Sequence, residues 1–105
     1  MSMSDSSRSC LRTAADRGIA YLDGLNDRAV APTAAALARL EELDHPLGDH
    51  PTPPDDVVRL LDEIGSPATV ASAGGRFFGF VVGAALPAAL GANWLASAWD
   101  QNSGL

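Results

Sequence analysis

From Phe77 to Trp99 the chain reads FFGFVVGAALPAALGANWLASAW, with no charged residue and only Asn93 and Ser97 as conventional polar side chains. The first part, RFFGFVV, is aromatic and β-branched and predicts a short extended run after a turn at Gly74-Gly75. The second, GAALPAALGANWLASAW, predicts an alanine-rich helix with Pro87 in its first turn or at a kink. A helix apolar on every side needs cover on every side, which the surface of a small domain does not supply. Leaving ~500 Å² of apolar area in water would cost about 12 kcal/mol at ~25 cal/mol per Å². That rivals the whole stability of a typical domain, about 5–15 kcal/mol. The stretch therefore calls for a bilayer or for further protein surface.

A bilayer is the weaker of the two. About 23 residues at ~1.5 Å rise reach ~35 Å, enough to cross the hydrocarbon core, and Gly83, Ala88 and Gly91 would suit close helix packing in lipid. Against a span stand Pro87, Asn93, the weak hydrophobicity of alanine and a break at Gly79. Arg76 is the one positive flank. A small membrane-associated protein with a span over 77–99 is thus the alternative reading, and a membrane partner is disfavoured.

The remainder of the chain predicts three amphipathic helices. Leu11, Ala15, Gly18, Leu22 and Leu25 fall at steps of three and four within a helix over 7–25, with Ser6 or Ser7 as cap and Gly24 or Asn26 as stop. After NDRAVAP, a second helix runs over 33–43 with Ala36, Leu37, Leu40 and Leu43 on one side. DHPLGDHPTPP, residues 44–54, holds four prolines and a glycine and predicts a loop. In the third helix Thr52 is the expected cap, with Pro53 and Pro54 in the first turn and Asp55 and Asp56 where the dipole favours negative charge. Val57, Leu60, Leu61 and Ile64 form its apolar stripe, Gly65 is the expected left-handed stop, and Arg59 is spaced to pair with Asp55 and Glu63.

Composition narrows the chemistry. With 105 residues the chain can form one modest core. A net charge of −6 argues against a nucleic-acid partner. The polar, mixed-charge opening MSMSDSSRS is not that of a secretory signal. The lone Cys10 suits a reducing cytoplasm, and Cys10, His45 and His50 show no metal-ligand spacing, so no metal site is expected. Both histidines are expected to be solvent-exposed, and Trp94 and Trp99 to be packing residues. All seven basic residues are arginines, and the chain has no lysine. Schiff-base chemistry is closed to it on its own.

The apolar stretch also carries a resemblance. Arg76-Phe77-Phe78-Gly79-Phe80, then Asn93-Trp94-Leu95 and Asn102, resemble the N-terminal segment of the group II pyridoxal-phosphate-dependent decarboxylases, the aromatic-amino-acid and glutamate decarboxylase family. Upstream, RAVAP at Arg28 to Pro32 is similar to the family's Arg-Pro-Val-x-Pro element, and PPDDVVRLLDEI and SPATVAS follow in the family's order. The resemblance covers about Thr13 to Leu105. It departs at Gly74-Gly75, where the family has His-Pro.

This resemblance implies a mostly α fragment, three amphipathic helices plus the alanine-rich one, of an α/β enzyme of fold type I that acts as a cytoplasmic homodimer. Residues 1–73 would be a helical dimerisation segment, and residues 74–105 the start of the large cofactor-binding domain. The lysine and the other groups that hold pyridoxal phosphate would lie beyond Leu105, leaving no catalytic residue in this chain. Phe80, Val81 and Gly83 would fall on the wall of the substrate pocket, and an apolar Phe80 would suit an aromatic or aliphatic amino acid. Asn102 and Gly104 would approach the partner subunit's active site. Read from the residues alone, Phe77, Phe78 and Phe80 are equally core aromatics, and DQNSG a polar helix end with a glycine cap. A non-catalytic chain that binds a full-length decarboxylase remains a further alternative.

Overall fold

The computed structural model describes residues 2–76, 78 and 86–101, and among them the regular structure is helical throughout, with no strand. The first helix, α1, spans Asp5–Asp23. The second, α2, spans Ala34–Ala38 and tightens into a 3₁₀ segment over Arg39–Leu43. Next, α3 spans Pro54–Leu60, widens into a π turn over Leu61–Gly65 and closes with a 3₁₀ turn over Ser66–Ala68. The last helix, α4, spans Pro87–Trp99. Residues 44–53 form no regular element, as their prolines predict.

The helix ends follow local chemistry, with three departures from the sequence reading. The cap of α1 is Ser4, not Ser6 or Ser7: its backbone is extended, and its Oγ accepts from the Ser7 N–H at 3.2 Å. Thr33 caps α2 in the same way, accepting from the Ala36 N–H at 3.1 Å. For α3 the cap position is Pro53 and not Thr52. A residue before proline is held out of the helical region, so Pro54 keeps Pro53 extended (ψ 134°) and the helix starts one residue later than expected.

Gly65 gives the third departure. It is right-handed helical, with φ −77° and ψ −45°, rather than a left-handed stop. The chain carries on through it because Ser66 donates its hydroxyl to Asp62 Oδ1 at 2.5 Å, fastening the next turn.

Helices α1 and α3 lie side by side, joined by polar contacts. Ser9 Oγ donates to Asp55 Oδ2 at 2.5 Å, and Arg17 Nη1 donates to Asp62 Oδ2 at 2.7 Å. Asp55 and Asp62 therefore mark the side of α3 that meets α1. Of the expected stripe only Ile64 is buried, at 2 % exposure, while Val57, Leu60 and Leu61 face outward. Arg59 pairs with Asp55 at 3.9 Å and with Asp56 at 3.5 Å. Glu63 does not pair with it, because it lies 3.9 Å from Arg17 on the other side.

Arg28 ties the end of α1 to the end of α3. Its guanidinium donates to the carbonyls of Ser66 (3.0 Å), Pro67 (3.2 Å) and Thr69 (3.1 Å), and lies 5.4 Å from the centre of the Tyr21 ring. The Tyr21 hydroxyl shares a 2.7 Å hydrogen bond with Thr69 Oγ1. Nearby, the Ala71 N–H donates to the Val30 carbonyl at 2.8 Å, and Arg76 donates to the carbonyls of Asn26 and Arg28. Under this lattice sit the buried apolar side chains of the described residues, Leu25, Ile64 and Ala71. Gly74 closes over them: a Cβ there would stand 3.3 Å from the Ala71 carbonyl oxygen and 3.6 Å from Leu25 Cβ. A side chain at 74 would require the Ala71 carbonyl to give way by a few tenths of an ångström.

Candidate functional site

The apolar stripe on α1 faces a groove rather than a core. Pro87 opens α4 at its first position and fixes the start of the helix, the first of the two placements expected for it. From there α4 returns over α1 and sets Trp94 above Gly18, where an added Cβ would stand 3.8 Å from Trp94 Cζ2.

On one side of this crossing lies a groove of about 610 Å³, lined on α1 by Leu11, Ala15, Gly18 and Tyr21 and on α4 by Leu90 and Trp94. On the other side a second groove of about 450 Å³ runs past Ile19, Leu22, Leu25 and Asp23 to Pro87 and Gly91. Leu22, Leu90 and Trp94 border both. No residue of α1 or α4 is buried, so the two helices touch through few side chains and leave most of their apolar surface in water.

Volume and lining decide what the larger groove can do. Its size is that of a small-molecule site, but its polar groups are limited to Tyr21 and Ser97, and the Tyr21 hydroxyl is already bonded to Thr69. No cation lines either groove, and Asp23 borders the smaller one. Pyridoxal phosphate does not fit these surfaces: its phosphate would find no positive partner, and the chain has no lysine for its aldehyde. The arrangement can hold apolar surface, and it offers no nucleophile, acid or base poised for chemistry.

Away from the groove, Asp62 is the titratable group most shaped by its surroundings. The Ser66 hydroxyl holds its carboxyl below the ordinary value; partial burial opposes this, and the Arg17 guanidinium adds to the lowering. Both partners come from the helix junction, which marks Asp62 as a structural clasp. Among the described residues no group of histidine, cysteine or acidic side chains has the spacing of a metal site.

Phe80, Val81 and Gly83, read as pocket-wall positions, and Asn102 and Gly104, read as positions near a partner's active site, lie outside the described residues. The extended run expected around Phe77–Val82 lies outside them too, apart from Phe78, which is exposed. Trp94 packs over Gly18, whereas Trp99 is 63 % exposed. His45 and His50 are exposed. No helix among the described residues is long and apolar enough to cross a membrane. The sequence reading missed the roles of Arg17 and Arg28, whose partners lie 38 to 45 residues away along the chain.

No family model matches the chain, and comparison with curated proteins and with solved structures finds no match either.

Proposed function

We propose that this chain is the helical N-terminal part of a pyridoxal-phosphate-dependent amino-acid decarboxylase of the group II type, a carboxy-lyase that works as a cytoplasmic homodimer. The chain's share is to pack against the rest of the enzyme. It supplies no catalytic group and no covalent anchor for the cofactor, whose chemistry falls to the remainder of the protein. The supporting observation is the uncovered α1–α4 pair, whose grooves are apolar in an otherwise acidic chain. Such surface suits a segment that lies under a larger domain. The order of Arg28–Pro32, the α3 segment and Asn93-Trp94-Leu95 adds the family resemblance.

On this reading Phe80, Val81 and Gly83 belong to the pocket wall and favour an aromatic or aliphatic substrate. Asn102 and Gly104 approach the partner's active site. The test begins with the coding DNA beyond Leu105. A frame that continues for several hundred codons with a lysine after a strand-like apolar run is expected. Its full product should bind pyridoxal phosphate and release carbon dioxide from aromatic or aliphatic amino acids. A stop codon at that point, or a full product that binds no pyridoxal phosphate, overturns the proposal.

A further inference from the structure

The polar links that hold the helices together join residues up to Arg76. Ser9 to Asp55, Arg17 to Asp62, Tyr21 to Thr69 and Arg28 to Ser66 fasten α1 and its end to α3 and the turns that follow it. Ala71 bonds back to Val30, and Arg76 reaches the carbonyls of Asn26 and Arg28. The buried apolar side chains of the described residues, Leu25, Ile64 and Ala71, lie within the same stretch.

Helix α4 is held differently. Among the described residues no hydrogen bond or ion pair joins it to residues 2–76. Its polar contacts are local: the Leu90 and Asp100 N–H groups donate to the Leu86 and Ala96 carbonyls, and Gln101 Nε2 donates to the Trp99 carbonyl. What meets α1 is apolar surface, with Trp94 over Gly18 and with Leu22 and Leu90 beside that crossing. Even there Trp94 is 45 % exposed. An element with so few buried apolar contacts opens at lower free energy than the core. Once off α1, its 13 residues fall in the ~12–15 range below which an isolated helix is marginal in water. Lifting and loosening of α4 therefore go together.

We infer that α4 is a strap that lifts from α1 while α1–α3 stays folded as a unit, baring the α1 stripe of Leu11, Ala15, Gly18 and Leu22. Any surface that takes up this stripe in place of α4 draws the equilibrium toward the lifted form, by as much as it prefers that form. The strap follows from the ties within the chain and does not rest on the decarboxylase reading.

Both tryptophans of the chain, Trp94 and Trp99, sit on α4, so their emission follows the strap, whereas far-UV circular dichroism follows chiefly the other helices. In a urea titration of the 105-residue chain, the emission should reach its exposed wavelength with a midpoint at least ~1 M below that of the main loss of ellipticity. Hydrogen exchange followed by mass spectrometry should be at least tenfold faster for the amides of α4 than for those of α1 between Arg12 and Leu22. Asp62→Asn should lower the ellipticity midpoint and leave the emission midpoint in place. Leu90→Asp, at the crossing, should do the reverse. Coincident transitions, equal exchange in α4 and α1, or either variant moving both midpoints together would each overturn the inference. So would an emission already at its exposed wavelength without urea, since α4 would then have no seat on α1 to leave.

Discussion

Arg17 and Asp62, 45 residues apart in sequence, meet at 2.7 Å and join the middle of α1 to the π turn that follows α3. Both side chains are about seven-tenths covered, so this pair is less screened than a surface one. Asp62 also accepts the Ser66 hydroxyl, so one carboxylate holds two junctions.

Acid should open this clasp. The folded-state pKa of Asp62 lies below its unfolded value, through Ser66 first and Arg17 second. Its contribution is then fully present above about pH 5 and is lost as pH falls below ~4 through the depressed folded value. Urea titrations followed by circular dichroism between about pH 7 and 3 should show that decline. Asp62→Asn should remove about 1–2 kcal/mol at pH 7 and flatten the acid limb. An unchanged acid limb in the variant would rule the clasp out.

Arg28 should be the costliest single loss on the polar side. It serves three carbonyls and the face of Tyr21 at once, a geometry that suits a planar fork. Arg28→Ala should lower stability by about 2–3 kcal/mol. Arg28→Lys should recover less than half of this, because an ammonium on a flexible stem cannot span the same three acceptors. Full recovery with lysine would mean that charge alone matters there.

Gly65 separates two pictures of the end of α3. A left-handed residue would make Gly65→Ala destabilising by about 1 kcal/mol. With φ −77° and open space where the Cβ would go, the same substitution should stabilise the chain by about 0.5–1 kcal/mol. The sign of the shift in the urea midpoint decides between them.

Gly18→Ala probes the crossing of α1 and α4. The new methyl would stand at an ordinary contact distance of 3.8 Å from Trp94, so it should not displace the indole. It should raise the melting temperature through better helix propensity, worth about 1 kcal/mol, and leave the tryptophan emission unchanged. A red shift would mean that α4 had lifted off α1.

The helices and several of their ends were legible in the sequence because they depend on neighbours along the chain. Thr33 as cap, Gly24 at the end of α1 and Pro87 at the start of α4 are of this kind. The Pro53-Pro54 pair was equally local, and the rule about residues before proline would have moved the cap from Thr52. The facing of α3 was not legible in the same way. Its apolar stripe predicted Val57, Leu60 and Leu61 inside, but Ser9 and Arg17 draw the Asp55–Asp62 side onto α1. Cross-links between distant polar residues leave no periodic trace. The groove was half legible: the stripe of Leu11, Ala15, Gly18 and Leu22 stood out, while its role as one wall of an open trough depends on where α4 lands. The five positions assigned by resemblance fall outside the described residues.

The small core around Leu25, Ile64 and Ala71 carries a consequence for the life of this chain in a cell. A polypeptide whose described residues bury so few apolar side chains draws much of its persistence from whatever covers the rest, since binding to the folded state alone adds to its stability. Free copies would spend a larger share of time open to proteases and chaperones than covered ones. The amount of the chain that survives should therefore follow the supply of its covering surface, so that unmatched copies are cleared without a dedicated regulator.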